Sequence, residues 1–425
     1  MIVKSLEKSE KSGEFEESQA FEKFQEIEKA GMAAVCSWTR RYEPTEFFNQ
    51  AKVLRAFRAH RVNYQDFQIS SGYGMGDTGR DKLESIYAEI FHGEDALIRQ
   101  QIVSGTHSIT LALFAMLLPQ DKMVLYGEPY DTLYKVLGRT EKDPGSLMEL
   151  GVTYEIHPFG EKETIGDAID ETTKVFYLQR SKGYSARNAM TIREMEELIT
   201  AAKKINPKII VFVDNCYGEF CEEREPLEVG ADLIAGSLIK NAGGAIAPSG
   251  GYLVGRADLI ERAAYRLTAP GIGKEVGPSL ISNVSLYQGI FMAPHIVSEA
   301  LKGSVYLSAV MAALGYDVLP KPNDPRSDIV EMIRFGAPEP LKAFCRGIQK
   351  YSPVDSHVLP EAWDMPGYEH QVIMASGGFV EGSSIELSAD GPLREPYNCY
   401  VQGGISFPYV KFVIDSILQE ELQLK

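Results

Sequence analysis

Apolar residues recur at three- and four-residue spacing through EKFQEIEKAGMAA and FFNQAKVLRAFRAHRV, so residues 1 to about 60 read as helical. A glycine-rich break, ISSGYGMGDTGRD at 69–81, interrupts this pattern, and KLESIYAEIF at 82–91 resumes it. From about 96 to 300 the pattern alternates between strand and helix. IRQQIVS leads into the apolar helix THSITLALFAMLL, and KMVLYG (122–127), VTYEIHPF (152–159) and KVFYLQR (174–180) follow as strands. TIREMEELITAAKKI (191–205) predicts an amphipathic helix, with Thr191 and Glu194 placed as a capping box. KIIVFVDN (208–215) is nearly all apolar, as expected of a strand covered on both faces; ADLIAGS (231–237) and GYLVG (251–255) are two more. This alternation predicts an α/β domain with a largely parallel sheet.

The last quarter changes character. YLSAVMAALGYDVLP and IVEMIRFGAPEPLKAFCRGIQKY carry helix, strand and helix signals. HQVIMASGGFVEGSSIELSAD (370–390) reads as a sheet segment with a Gly-Gly turn, and KFVIDSILQEELQ as a final helix. The expected division is a helical segment at 1–65, a large α/β domain at 66–300 and a smaller α+β domain at 301–425.

Composition narrows the partners. The chain has 425 residues, 44% hydrophobic and 24% charged, with a net charge of −16. So acidic a surface argues against nucleic acid or an anionic membrane as a partner. No stretch reads as a membrane span of roughly 20 apolar residues. The charged N-terminus shows no signal-peptide pattern, and the expected location is cytoplasmic. Five scattered cysteines, without CxxC spacing, disfavour a disulfide framework or a metal site.

Three stretches carry candidate chemistry. In an open α/β sheet, ligands bind beyond the carboxyl ends of the strands. In VSGTHSITLALF (103–114), Ser104, Gly105 and Thr106 precede an apolar helix whose free amides suit a phosphate, unless the hydroxyls only cap that helix. In VFVDNCYGEF (211–220), Asp214 ends an apolar strand and calls for a positive partner, unless it caps the next turn. In GSLIKNAGGAIAPSGGYLVG (236–255), Lys240 follows a strand end. It is either a solvated loop lysine or an amine that attacks a carbonyl. A phosphate cradle, a carboxylate and a strand-end lysine together match pyridoxal phosphate. The cradle and Ser237 would hold its phosphate, Asp214 its protonated ring nitrogen, and Lys240 its aldehyde as a Schiff base. The glycines after Lys240 would leave room for the cofactor and for close chain approach.

These stretches resemble the fold-type I pyridoxal-phosphate enzymes. More closely, the chain is similar to the Cys/Met metabolism family of cystathionine β-lyase and methionine γ-lyase, in the branch labelled aluminium-resistance proteins. VDNCY, GSLIKN and VSGTHS carry the resemblance, which extends from about residue 65 to the end. It implies a mostly parallel seven-stranded sheet with a smaller C-terminal domain. From EPYDTLY (128–134) it implies that Tyr130 stacks on the ring, with Tyr134 and His107 as rivals. From SSGYGMGDTGRDKLE (70–84) it suggests Tyr73 and Arg80 as phosphate contacts given to a neighbouring subunit, although Arg80 also reads as an ordinary loop arginine.

Three departures bear on the substrate. Glu386 stands where the family carries its substrate-carboxylate arginine, which makes Arg394 the substitute, or else a surface arginine. Ile239 replaces a threonine, and QRSKGYSAR (179–187) replaces a Pro- and Asn-rich segment. The resemblance implies a carbon–sulfur lyase acting on a sulfur amino acid, with Lys240 and Tyr130 in catalysis and active sites shared in a homodimer or homotetramer. Its rivals are a γ-replacement transferase, an aminotransferase, and a cofactor-binding stress-response protein without turnover.

Overall fold

The computed structural model describes the backbone of residues 2–423 and the side chains of residues 19–420. Ten α-helices and twelve strands follow in the order α1 (Ile2–Ala59), α2 (Thr78–Phe91), β1 (Asp95–Arg99), α3 (Gly105–Met116), β2 (Lys122–Tyr126), α4 (Leu133–Leu137), β3 (Thr153–His157), α5 (Ile165–Ala168), β4 (Thr173–Gln179), α6 (Ile192–Ile205), β5 (Ile210–Asp214), β6 (Leu233–Ser237), β7 (Gly251–Gly255), α7 (Ala257–Leu267), α8 (Val284–Ala313), β8 (Asp317–Leu319), β9 (Val330–Arg334), α9 (Pro338–Lys350), β10 (Val372–Ser376), β11 (Ser388–Pro392), β12 (Asn398–Gln402) and α10 (Phe407–Gln423). The strands expected at 122–127, 152–159, 174–180, 208–215, 231–237 and 251–255 form as β2 to β7, whereas the strand-like run IRQQIVS (98–104) is a strand only at its start, β1 ending at Arg99. The Thr191–Glu194 capping box is present at the start of α6.

Seven strands make the large sheet, in the order β1-β7-β6-β5-β4-β2-β3. The five strands from β3 to β6 pair in parallel, and only β7 runs against its neighbours β6 and β1. The inner strands are buried along their whole length, with helices on both faces. The five-stranded small sheet, β10-β11-β12-β9-β8, is wholly antiparallel. In it, the expected Gly-Gly hairpin becomes a longer connection over 377–387. Glu386 organises this connection by accepting the Phe379 amide at 2.7 Å and the Val380 amide at 2.9 Å.

Helix α8 corrects two expectations. The division at 300–301 falls inside this unbroken 30-residue helix, so the two sheets are joined by a rod rather than a linker. By length and composition α8 is also apolar enough to cross a membrane, which the sequence reading did not foresee. Its apolar stretch is 78% buried inside the molecule, packed against α1, so it serves as a core helix.

The glycines after Lys240 also pack against α8. A Cβ on Gly244 would lie 2.2 Å from the Gly289 carbonyl, and one on Gly243 would lie 1.6 Å from the Leu238 carbonyl. Their role is close chain approach; neither lines a cavity that would hold a cofactor.

Behind β5, Arg180 is fully buried. Its guanidinium reaches Asn215 Oδ1 at 2.9 Å, Glu225 Oε2 at 3.2 Å and Glu222 Oε1 at 3.2 Å. Glu225 also accepts the Phe220 amide, and the α1 residues Tyr42 and Asn49 hold the Phe220 carbonyl. This network fixes the loop that leaves Asp214. Removing the Glu225 carboxylate would leave a buried guanidinium short of a counter-charge. Glu225→Ala is therefore expected to destabilise the fold by about 3–5 kcal/mol, read as a lower urea midpoint.

Candidate active site

The carboxyl ends of β2, β4, β5 and β6 open into one cavity of about 300 Å³. Ser104, Gly105, Thr106, Tyr130, Asp214, Ser237 and Lys240 all line it. These are residues that the sequence places far apart, and the strand order brings them together.

Each is set by its element. Ser104 begins α3 in extended backbone, and its hydroxyl accepts the His107 amide at 3.1 Å. The Ser104 carbonyl accepts the Ser108 amide, so the Gly105 and Thr106 amides precede the first helical hydrogen bond. A Cβ on Gly105 would lie 3.3 Å from both Cys216 Sγ and Ser237 Cβ, so glycine keeps this cradle open. Tyr130 donates its hydroxyl to Thr106 Oγ1 at 3.0 Å, and its amide bonds Gln179 Oε1 at 2.9 Å. Burial, then the Asp214 charge, pushes the Tyr130 phenol up.

Asp214 ends β5 and accepts the Cys216 amide at 3.1 Å, with the Tyr177 hydroxyl 3.5 Å away. Burial raises its carboxyl, against the opposing pull of Lys240. Lys240 follows β6, and its Nζ lies 4.0 Å from the centre of the Tyr217 ring. Burial disfavours the ammonium, but Tyr217, then Cys216 and Asp214, outweigh it and hold the Lys240 pKa well above the ordinary lysine value. Lysine and aspartate therefore share the cavity as opposite charges.

Other expected residues lie elsewhere. His107 lies outside the cavity, where its Nδ1 accepts the Val103 amide. Tyr134 is also outside, bonded to Glu128 and beneath the Arg139 guanidinium. Tyr130 is thus the cavity-lining member of the three. Tyr73 is 74% exposed and does not reach the Lys240 cavity of its own chain. Arg80 is buried by its own chain, bound to the Gly74 and Gly277 carbonyls and to Asp81. Arg394 lies in a neighbouring hollow with Pro392 and Asn398, its Nη2 3.4 Å from the Tyr184 carbonyl, and is not a cavity-lining residue.

The sequence reading missed much of the cavity roof. Tyr217 sits at φ 70°, a left-handed conformation that a bulky residue rarely adopts and that marks a constrained site. Its hydroxyl lies 3.0 Å from Ser384 Oγ and 3.3 Å from Gln402 Oε1. Gln179, Tyr184, Tyr368, Asp390 and Gln402 complete the wall. The QRSKGYSAR segment is stapled in place by Lys182, which binds Asp328, and by Arg187, which holds the Gln179 and Ser181 carbonyls.

The methionine gamma-lyase family model matches residues 24–422. The chain belongs to this family. The family implies pyridoxal phosphate at the cavity, and the residues present fit it. They offer free helix amides for a phosphate, a buried carboxylate for a ring nitrogen, and an amine for an aldehyde.

A carbon-sulfur lyase involved in aluminum resistance from Clostridium novyi NT is 46% identical, with a TM-score of 0.90 over 94% of this chain and 96% of that one. The uncharacterized protein YnbB of Bacillus subtilis is 49% identical over 385 residues, which is 88% of this chain and 91% of that one. L-methionine gamma-lyase of Pseudomonas putida is 27% identical over 180 residues, covering 42% of this chain and 41% of that one. The pyridoxal-5'-phosphate dependent protein YhfS of Escherichia coli shares the fold at 17% identity, with a TM-score of 0.59 over 90% of this chain and 96% of that one.

Two measurements test this geometry. Gly105→Val should fill the cradle and weaken pyridoxal phosphate binding at least about tenfold, measured by equilibrium dialysis; unchanged affinity would remove the α3 amides from the cradle. The second concerns Glu219, whose carbonyl accepts Asn241 Nδ2 beside Lys240 and whose carboxylate accepts the Tyr252 hydroxyl. Burial raises its pKa from the ordinary 4.5 to about 8. Between those values the folded chain keeps a proton that the unfolded chain releases, so stability falls as pH rises through that window. Glu219→Gln should flatten this fall, read from urea midpoints taken across it.

Proposed function

We propose that the chain is a pyridoxal-phosphate-dependent carbon–sulfur lyase that cleaves a sulfur amino acid to a thiol, ammonia and a 2-oxo acid. The observation that carries this reading is the meeting of Lys240, Asp214 and the α3 cradle in one cavity of about 300 Å³. When bound, the cofactor supplies an electron sink conjugated to the substrate Cα. Ser237 and the Gly105 and Thr106 amides would hold its phosphate, Asp214 would keep its ring nitrogen protonated, and Lys240 would hold its aldehyde.

With a substrate amine in its place at the cofactor, Lys240 Nζ would be free to accept the proton from Cα. The Tyr217 ring beneath that amine fixes its position. Tyr130 Oη, tied to Thr106, steers the ring and donates a proton to the departing sulfur. In this reading the exposed Tyr73 belongs to the cavity of a second copy of the chain, whereas Arg80 holds the Gly74 and Gly277 carbonyls of its own.

The wild-type protein should release a 2-oxo acid from sulfur amino acids and should yield a borohydride-fixed adduct at Lys240. Lys240→Ala should lose the adduct, and its turnover should fall at least about a thousandfold. Turnover retained in that variant would overturn the assignment.

A further inference from the structure

Behind the floor of the cavity lies a carboxyl group that the chemistry above does not use. Glu219 sits in the loop after β5 and is fully buried. Tyr217 and Phe220, on either side of it, are held at φ 70° and 64°, left-handed backbone that a bulky residue adopts only where its surroundings enforce it. Glu219 Oε1 accepts the Tyr252 hydroxyl at 2.6 Å. The Tyr252 ring in turn lies so close to β6 that a Cβ on Gly236 would come within 2.5 Å of it. The Glu219 carbonyl accepts Asn241 Nδ2 at 3.1 Å. Asn241 is also fully buried, and it is the residue that follows Lys240.

Two oxygens in this contact lack a donor. Among the described residues, neither Glu219 Oε2 nor Asn241 Oδ1 has a hydrogen-bond partner. A buried acceptor left unpaired is costly, and here two such acceptors belong to touching residues. A carboxylate only accepts, whereas a carboxylic acid owns one O–H donor, so a single proton on Oε2 would satisfy both oxygens. The titratable groups that face the carboxyl are Tyr87 on α2, Arg180 after β4, Cys216, Cys221 and Glu225 after β5, and Tyr252 on β7. Arg180 is the one cation among these, and its guanidinium is already bonded to Glu222 and Glu225. Burial is the largest influence and raises the Glu219 pKa to about 8.

We propose that Glu219 is a positioning residue for Lys240, acting as a carboxylic acid whose Oε2–H is donated to Asn241 Oδ1. With the Asn241 Nδ2 bond to the Glu219 carbonyl, this makes a two-point clamp on the residue next to the reactive amine. Tyr87 extends the hold by donating to the Ala242 carbonyl at 3.0 Å. The clamp fixes where the main chain of Lys240 leaves the floor, and so the direction from which Nζ reaches an aldehyde at the cradle. Ionisation of Glu219 removes the donor and sets two acceptors against each other, so the clamp opens as pH rises through about 8. The inference rests on the part of the proposed function that gives Lys240 the cofactor, and not on the reaction that follows.

The test measures pyridoxal phosphate affinity by equilibrium dialysis, one pH unit below and one above the Glu219 value, with the visible absorbance of the Lys240 adduct as a second readout. Wild type is compared with Glu219→Gln, which keeps a donor for Asn241 at every pH, and with Glu219→Leu, which never has one. At the higher pH about one wild-type molecule in ten keeps the clamp, so wild type should lose about tenfold in affinity relative to Glu219→Gln between the two conditions. At the lower pH Glu219→Gln should match wild type, and Glu219→Leu should bind at least about tenfold more weakly. Adding Asn241→Ala to Glu219→Leu should cost little more, because both remove one interaction.

Parallel pH profiles for wild type and Glu219→Gln overturn the clamp. So does a Glu219→Leu protein that binds the cofactor as tightly as wild type, and so does a Glu219→Gln protein that fails to fold, since glutamine reproduces the shape and donor of the acid. If Glu219→Leu fails to fold, the comparison of wild type with Glu219→Gln decides. Cofactor bound with the expected pH dependence, but no 2-oxo acid released from sulfur amino acids, keeps the clamp and removes the lyase reading. Turnover with parallel profiles does the reverse.

Discussion

Two groups of opposite charge, the buried Asp214 carboxylate and the half-buried Lys240 amine, face one cavity just beyond the ends of adjacent parallel strands β5 and β6. Neither group is tolerable alone in such a place, because burial disfavours each charged form. In the unliganded chain each supports the ionisation of the other. The rest of the architecture keeps them there: the parallel sheet aligns the strand ends, the Arg180 network holds the loop after Asp214, and the glycines after Lys240 seat its loop against α8. A ligand bearing both a ring cation and a carbonyl answers both groups at once, which is why the same pair suits pyridoxal phosphate.

The floor of this site was legible in the sequence because local rules place it. Asp214 ends an unbroken apolar run, and Lys240 follows the shorter apolar stretch of β6 by three residues, which is how strand ends look in a buried parallel sheet. Ser104, Gly105 and Thr106 precede an apolar helix, and a hydroxyl, a glycine and a hydroxyl before such a helix mark its amide end. Tyr130 was separable from Tyr134 and His107 only in three dimensions, through the contacts it makes with Thr106 and Gln179.

The roof was not legible, for a physical reason. Asp390, Gln402 and Tyr184 reach the cavity through antiparallel pairing in the small sheet and through its docking on the large one, and no local periodicity encodes that docking. The place of Arg394 was hidden for the same reason: Asp390 lines the Lys240 cavity, whereas Arg394 lies in the neighbouring hollow beside Tyr184. The run of α8 across 300–301 was not legible either, because apolar content alone cannot distinguish a helix that closes one core from a helix shared by two. Tyr217 left one faint trace, a tyrosine followed by glycine just after the strand-end acid, where the chain turns sharply into a left-handed residue.

The order of the site along the chain has a consequence for biosynthesis. The floor residues, from Ser104 to Lys240, leave the ribosome well before Asp390 and Gln402. Until the small sheet has been made and has paired, the reactive amine faces water beneath an unfinished chamber. Any discrimination the roof exerts over incoming amino acids therefore begins only after Gln402 has emerged and the small sheet has paired.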